Sequence, residues 1–265
     1  VTELRDVLDS MEARHIALPL SEALVCTFDD AVGPLVSLME RRQFDCCPVL
    51  EGGVPVGVFD RLLRASSVEL GTRPLIVGQL ISADTRILEL ARKLDEHDFV
   101  FVLSGSRISG FITVADLGST LARSFCYLQL ASVEMGLSKY LRSRFPDQPL
   151  AIELLGESRQ KAHLSLVDRL KKEDQYIDDF AACSLEDLLR IVGKDQVFRQ
   201  ALTDNRGWQN LKSGLIDFRN DVMHPSRPLV APGVRSVSKF VEKIENLQII
   251  AHAVDRILRE PDAEL

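Results

Sequence analysis

Two stretches of the chain carry the same order of apolar and polar positions. Phe44–Phe59 (FDCCPVLEGGVPVGVF) and His97–Ile112 (HDFVFVLSGSRISGFI) align without a gap at a constant offset of 53 residues. Asp45 matches Asp98, Val49 matches Val102 and Gly57 matches Gly110. Each copy reads as a strand, a tight turn (Gly52-Gly53, Gly105-Ser106) and a second strand. Ahead of each hairpin the apolar spacing turns helical, through Ala31, Leu35, Leu38 and Met39 in the first copy and Ile87, Leu90, Ala91 and Leu94 in the second. A further short helix follows at Asp60–Leu63 and at Val114–Leu117. The unit is strand, helix, strand, strand, helix, present twice. One unit is too small to close a core well by itself, so the copies are expected to pack on each other.

Beyond about Leu117 the strand signals fade. Ser119–Arg144 predicts a long amphipathic helix through Leu121, Phe125, Leu128, Ala131, Met135, Leu137 and Leu141, ended by Phe145-Pro146. Leu150–Arg169 predicts a second. Ser184 and Asp187 form a near capping box that opens a helix to Val192, ahead of Gly193. Asp195–Leu202 and Trp208–Met223 follow, then Pro225 and a polar loop to Ser236. Val237–Leu258 predicts a long closing helix. The chain thus divides into an N-terminal helix (1–15), a two-copy α/β unit (16–122, copies about 16–68 and 69–122) and an all-α helical bundle (123–265) of four main helices with shorter connectors.

Charge sharpens that division. The net charge is −7, from 32 Lys+Arg and 39 Asp+Glu. Residues 1–120 hold 11 basic and 18 acidic residues, so residues 121–265 hold 32 − 11 = 21 and 39 − 18 = 21. All the excess acid lies in residues 1–120. With 46% hydrophobic residues the chain can bury real cores. No apolar run approaches the roughly 18–20 residues that span a bilayer. The N-terminal VTELRDVLDSMEAR has no basic segment followed by an apolar one, so it is not expected to be a signal peptide. The five cysteines are scattered without a CxxC pair; they read as small core residues of a reducing, cytoplasmic compartment, with Cys46 and Cys47 pointing to opposite faces of a strand. No bulk positive charge is available for coating nucleic acid.

The repeat resembles a tandem pair of CBS domains. The second copy ends in Gly110-Phe-Ile-Thr113-Val-Ala-Asp116-Leu117, similar to that family's G-x-x-T-x-x-D-L ending. The resemblance implies that Asp116 takes the ribose hydroxyls of an adenine nucleotide (AMP, ADP or ATP) and that the Thr113 hydroxyl approaches its phosphate. The chemistry suits the spacing, since a carboxylate accepts two hydrogen bonds from a diol and a helix start offers free N–H groups. The first copy departs from the pattern: Asp60 stands where Thr would, and Leu63 where Asp would. One nucleotide per pair is therefore expected, in the cleft using Thr113 and Asp116. Thr and Asp at a helix start are also ordinary N-cap residues, which leaves a dimerisation module with empty clefts as the alternative.

In the helical half one constellation is dense: Phe218-Arg219-Asn220-Asp221-Val222-Met223-His224-Pro225. Pro225 ends the helix at His224. Asn220 and His224 share a face, whereas Arg219 lies roughly 140° round from His224 at about 100° per residue. A second copy across a two-fold axis could bring Arg and His together. The motif is similar to the R-N-x-x-x-H signature of the HEPN superfamily of small helical bundles, found in prokaryotic ribonucleases, toxins and defence proteins. That resemblance implies a metal-independent endoribonuclease acting as a homodimer on RNA. His224 would handle the proton of the 2′-OH or leaving group, Arg219 would stabilise charge on the phosphate, and Asn220 would orient the base or a phosphate oxygen. Glu157 and Lys161 could add a second polar pair, although that spacing also serves plain helix stabilisation. Basic residues and Asn at a helix end equally suit the last carbonyls.

Other chemistry finds little support. No Walker-type loop, H-E-x-x-H or G-x-S-x-G is present, and no metal is expected. His15, His97, His163 and His252 read as surface or half-buried helix residues, and Trp208 as a core anchor. The combined expectation is a nucleotide-sensing regulatory module controlling an RNA-cleaving effector. The alternative is a non-enzymatic nucleotide sensor whose helical half only dimerises or docks a partner.

Overall fold

The computed structural model describes residues 2–172, 178–202, 206–231 and 236–259. Val1, residues 232–235 of the predicted loop and residues 260–265 of the predicted bundle lie outside the described residues, as do 173–177 and 203–205. The chain opens with α1 (Thr2–Asp9). The first copy then contributes β1 (Leu18–Pro19), α2 (Val32–Arg42), β2 (Cys46–Glu51) and β3 (Val54–Asp60), closed by a 3-10 turn at Arg61–Leu63. The second contributes β4 (Thr72–Pro74), β5 (Leu80–Ser82), α3 (Ile87–Glu96), β6 (Phe99–Ser104) and β7 (Arg107–Thr113), closed by a 3-10 turn at Val114–Gly118.

The hairpins keep the register that their repeat requires. Gly52 and Gly53 turn the first with φ of 56° and 81°, values that favour glycine. Gly105 turns the second with φ of 60°. Each carries a register shift at the same place, between Val49 and Leu50 and between Val102 and Leu103.

The copies do not merely stack; they exchange strands. The sheet orders are β2-β3-β4 and β1-β7-β6-β5. β1 leads the first copy yet pairs antiparallel with β7 of the second, Pro19 opposite Gly110. β4 leads the second copy and pairs antiparallel with β3 of the first, Gly57 opposite Pro74. This explains the matched glycines. A Cβ on Gly57 would lie 2.6 Å from the Arg73 carbonyl oxygen, and one on Gly110 would lie 2.9 Å from the Ala17 Cβ. Only glycine admits the borrowed strand so closely. Between the sheets, Val58 packs with Phe99, Phe101 and Phe111, whose rings lie 5.2–6.0 Å apart.

The helical portion comprises α4 (Thr120–Arg144), α5 (Gln148–Ile152), α6 (Glu157–Lys172), α7 (Leu185–Val192), α8 (Gln196–Ala201), α9 (Trp208–Lys212), α10 (Leu215–Met223) and α11 (Val237–Arg259). Two predicted helices are broken. Leu150–Arg169 is interrupted before Gly156, and the Gln160 side chain donates to the Glu153 and Leu155 carbonyls that the break exposes. Trp208–Met223 is interrupted at Gly214, where φ is 68°. The predicted face of α4 is also corrected. Met135 is 57% exposed, while Gln129 and Ser132 are buried. α4 is a central helix with neighbours on several sides, including α1, α7, α10 and α11, so its burial does not follow one apolar stripe. No helix among the described residues is long and apolar enough to cross a membrane.

One apolar core runs from the second copy into the helices, joining Leu90, Leu94, Ile112 and Leu117 to Phe125, Leu130, Leu247 and Ile250. The first copy has a small core of its own: Cys26, Leu35, Met39, Cys47, Val49, Phe59 and Val68.

Candidate functional site

Two groups of residues were expected to carry chemistry, and the chain brings them within one hydrogen-bonded frame. The first lies where β7 ends. Asp116 Oδ2 accepts hydrogen bonds from the Thr113 backbone N–H at 2.7 Å and from the Thr113 hydroxyl at 2.9 Å. The pair closes the 3-10 turn, as an N-terminal cap does. Asp116 Oδ1 accepts no hydrogen bond among the described residues, and the carboxylate is half-buried. The cap therefore occupies one carboxylate oxygen and not the other.

The matching place in the first copy is built differently. Asp60 Oδ1 accepts from the Leu62 N–H at 2.9 Å, and Oδ2 lies 3.5 Å from Arg73 Nη2. Leu63 is 54% exposed. Arg73 also reaches Asp98 of the second copy at 3.0 Å and sits 5.0 Å from the Phe99 ring centroid. An internal cation thus binds the carboxylate that stands in for Thr, and it ties the two copies together across their seam. The sequence held no sign of this, because Arg73 arrives on the borrowed strand β4.

The second group lies at the end of α10. Phe218 and Asp221 are buried, Arg219 and Asn220 are half-buried, and His224 is exposed with non-helical φ and ψ of −111° and 96°. Arg219 lies near enough to Glu134 of α4 for its charge to be felt there. Burial raises the Glu134 carboxyl above its ordinary range, and the Arg219 charge partly offsets that. The carbonyls at this helix end are capped by a residue that sequence reading missed. The Arg123 guanidinium donates to Asp221 O, to Val222 O at 3.1 Å, to His224 O at 3.4 Å and to Arg227 O at 2.7 Å. Arg227 Nη1 lies 3.7 Å from Asp221 Oδ1. Arg123 stands about a hundred residues away in sequence, so no local pattern could have pointed to it.

Arg123 belongs to the first turn of α4, directly after the Asp116 turn. Ser119 N–H donates to Asp116 O at 3.0 Å, and Arg123 N–H donates to Ser119 O at 2.9 Å. Hydrogen bonds therefore run continuously from Asp116 to the backbone that carries His224.

Glu157 and Lys161 are exposed on α6. The residues between them anchor that helix, Arg159 to Asp187 at 2.8 Å and Gln160 to the preceding carbonyls. No hydrogen bond or ion pair among the described residues joins Glu157 or Lys161 to α10. His163 corrects its expected placement: it is 5% exposed, with Nδ1 4.0 Å from Cys183 Sγ and Nε2 3.8 Å from Asp179 Oδ1. The two neighbours use different ring nitrogens and do not converge on one point. No cluster of three metal-ligating His, Cys, Asp or Glu side chains occurs among the described residues. Trp208 is 9% exposed and stacks edge-on to Phe198 at 5.4 Å.

Neither a family model nor a curated protein matches the chain. Solved CBS-domain structures align with just under half of it. The CBS domain of a bacterial CNNM/CorC family Mg2+ transporter, in complex with ATP, covers 44% of this chain and 90% of its own at 18% identity, with a TM-score of 0.37. A hemolysin-like protein of Oenococcus oeni PSU that contains a CBS domain covers 44% and 93% at 13% identity, with a TM-score of 0.36. CBSX2, in complex with AMP, covers 43% and 95% at 14% identity, with a TM-score of 0.36. At these values the likeness carries no argument about ligand, partner or activity.

Proposed function

We propose that residues 16–122 form a CBS-type regulatory module that takes one adenine nucleotide in the second-copy cleft and acts on the helical portion. The asymmetry between the copies carries this reading. Thr113 and Asp116 leave a carboxylate oxygen open beside a turn start, whereas Asp60 is closed by Leu62 and Arg73 and Leu63 offers no polar atom. The hydrogen-bonded run from Asp116 through Ser119 to Arg123 supplies the route to α10. Such a route regulates only if the ligand binds two arrangements of that segment unequally. A thermal-shift panel of ATP, ADP and AMP, repeated on Asp116→Ala, tests the site. Stabilisation by at least one nucleotide, lost in the variant, is expected; no response to any of them leaves the module structural.

A second reading concerns what is regulated. His224 is exposed while Arg123 caps the helix end in its place, so the imidazole remains available for proton transfer. On this reading Arg219, Asn220 and His224 of two copies form a metal-independent RNA-cleaving site. Arg219 would have to act from its place beside Glu134, or leave it for the partner copy. Purified protein incubated with mixed RNA and EDTA tests this: cleavage abolished by His224→Ala is expected. Cleavage unaffected by that change, or no cleavage at all, favours the helical portion as a docking surface without catalysis.

A further inference from the structure

The small core of the first copy holds two thiols that neither proposed site uses. Cys26 and Cys47 are 2% and 1% exposed, and their sulfurs lie 3.6 Å apart with the Cys47 thiol donating. Met39 Sδ lies 4.0 Å from Cys47 Sγ. Cys26 is fastened to β2 through an isolated parallel bridge opposite Val49, made by Cys26 N–H to Pro48 O at 2.9 Å and Leu50 N–H to Cys26 O at 2.7 Å. Thr27, Phe28, Asp29, Asp30 and Ala31 beyond it are all exposed. Access for a small oxidant requires only that this edge segment open locally, by breaking two backbone hydrogen bonds to β2.

We propose that Cys26 and Cys47 form a reversible disulfide when the protein meets a peroxide, which makes the edge of the first copy a site of oxidative modification. The Cys26 thiolate attacks one peroxide oxygen and the O–O bond breaks, giving a Cys26 sulfenic acid and releasing hydroxide, which takes up a proton as water. The Cys47 sulfur then attacks the Cys26 sulfur; the S–O bond breaks, and the hydroxyl leaves as water with the Cys47 proton. Both thiols are oxidised together by two electrons and the peroxide is reduced to two waters. The order follows from the hydrogen bond. Donation from Cys47 lowers the Cys26 thiol below its ordinary value despite burial, and the same bond raises that of Cys47.

The other three cysteines are poorer targets. Burial raises Cys46 and Cys183 to about 12 and raises Cys126 as well. The thiolate is the form that attacks a peroxide, so each of these is disfavoured as the first site of oxidation. The register makes the Cys26–Cys47 pair diagonal, since Cys26 faces Val49 and Cys47 lies two residues back on the same face. Forming the bond takes the two sulfurs from 3.6 Å to an S–S length of about 2.05 Å.

The full chain, folded and reduced, is exposed to hydrogen peroxide and then digested without reductant. A Cys26–Cys47 linked peptide is expected ahead of oxidation at Cys46, Cys126 or Cys183, with two of five thiols lost and both restored by dithiothreitol. Cys47→Ser is expected to leave a dimedone-reactive sulfenic acid at Cys26. The proposal is overturned if the linked peptide forms only in denatured protein, or if any of the other three cysteines reacts first. The peptide map reads the wild-type chain directly, so a poorly folding Cys47→Ser variant leaves the outcome decided.

Discussion

The two copies of the repeat share sequence order, hairpin register and the glycine beside the borrowed strand, yet they occupy different positions in the energetics of the molecule. α3 of the second copy buries Ile87, Leu88, Leu90, Ala91 and Leu94, and its core continues into α4 and α11. α2 of the first copy buries only Leu35 and Met39, in a core of seven residues. The copy with the open carboxylate is thus the one built into the helical portion. The copy whose site is closed by Arg73 is the one that keeps a separate small core. The repeat supplies two matching turn starts; what each copy packs against differs.

The sharpest way to break this comparison is to remove the same side chain from each core. Leu90→Ala is expected to cost about 3–5 kcal/mol, because Leu90 is fully enclosed and its neighbours belong to two layers that cannot both collapse. Leu35→Ala, at the rim of the small core, is expected to cost about 2–3 kcal/mol. Urea unfolding reads both. Leu90→Ala should lower the midpoint for the whole chain, whereas Leu35→Ala should add an early transition confined to the first copy. Equal costs in a single transition would show that the two cores unfold as one.

The copies were legible from sequence because strand, turn and helix periods are local, and the repeat doubled each signal. The capped start at Ser184 was legible for the same reason: Ser184 accepts from Asp187 N–H. Strand exchange was not legible, since a two-residue strand such as Leu18–Pro19 carries no period and its partner Gly110 lies far along the chain. The same holds for Arg73 and Arg123, whose partners are backbone or carboxylate groups in other elements. Met135 was misplaced because α4 is enclosed on several sides, which a one-face pattern cannot express. Of the candidate site, the Thr113–Asp116 pair was readable through its spacing, while the residues that cap or neutralise their neighbours came only with the fold.

A second test acts on the clefts. Asp116→Ala is expected to weaken nucleotide binding by about tenfold to a hundredfold, the worth of hydrogen bonds to a charged group at about 1.5–3 kcal/mol. Asp60→Ala is expected to leave that affinity unchanged, and calorimetry of the unaltered chain should count one nucleotide. Two nucleotides per chain, or equal losses from the two substitutions, would erase the asymmetry.

Arg123→Ala follows in size. It strips the carbonyls of Asp221, Val222, His224 and Arg227 of a shared charged donor, at an expected cost of about 1–3 kcal/mol. Hydrogen exchange should quicken across 221–227 and stay unchanged in the hairpin of the first copy. If nucleotide still slows exchange at 221–227 in this variant, the second copy reaches α10 by some route other than Arg123.

The smallest effect concerns Glu134, where α4 meets α10. Its carboxyl is held above the usual range by burial, with Arg219 pulling the other way. A carboxyl whose folded value exceeds its unfolded value, about 4.3 for Glu, contributes stability that is full below that value. The contribution is lost as the pH rises through the folded value, because only the folded state resists ionisation. Glu134→Gln should therefore flatten the fall in stability as the pH rises above about 4.3, read from urea midpoints across a pH series. Arg219→Ala should steepen it by removing the opposing charge. If Arg219→Ala leaves the slope unchanged, the guanidinium is directed away from Glu134 in solution, as a site shared between two copies would require, and Arg123 is then the charged group that ties α10 to α4.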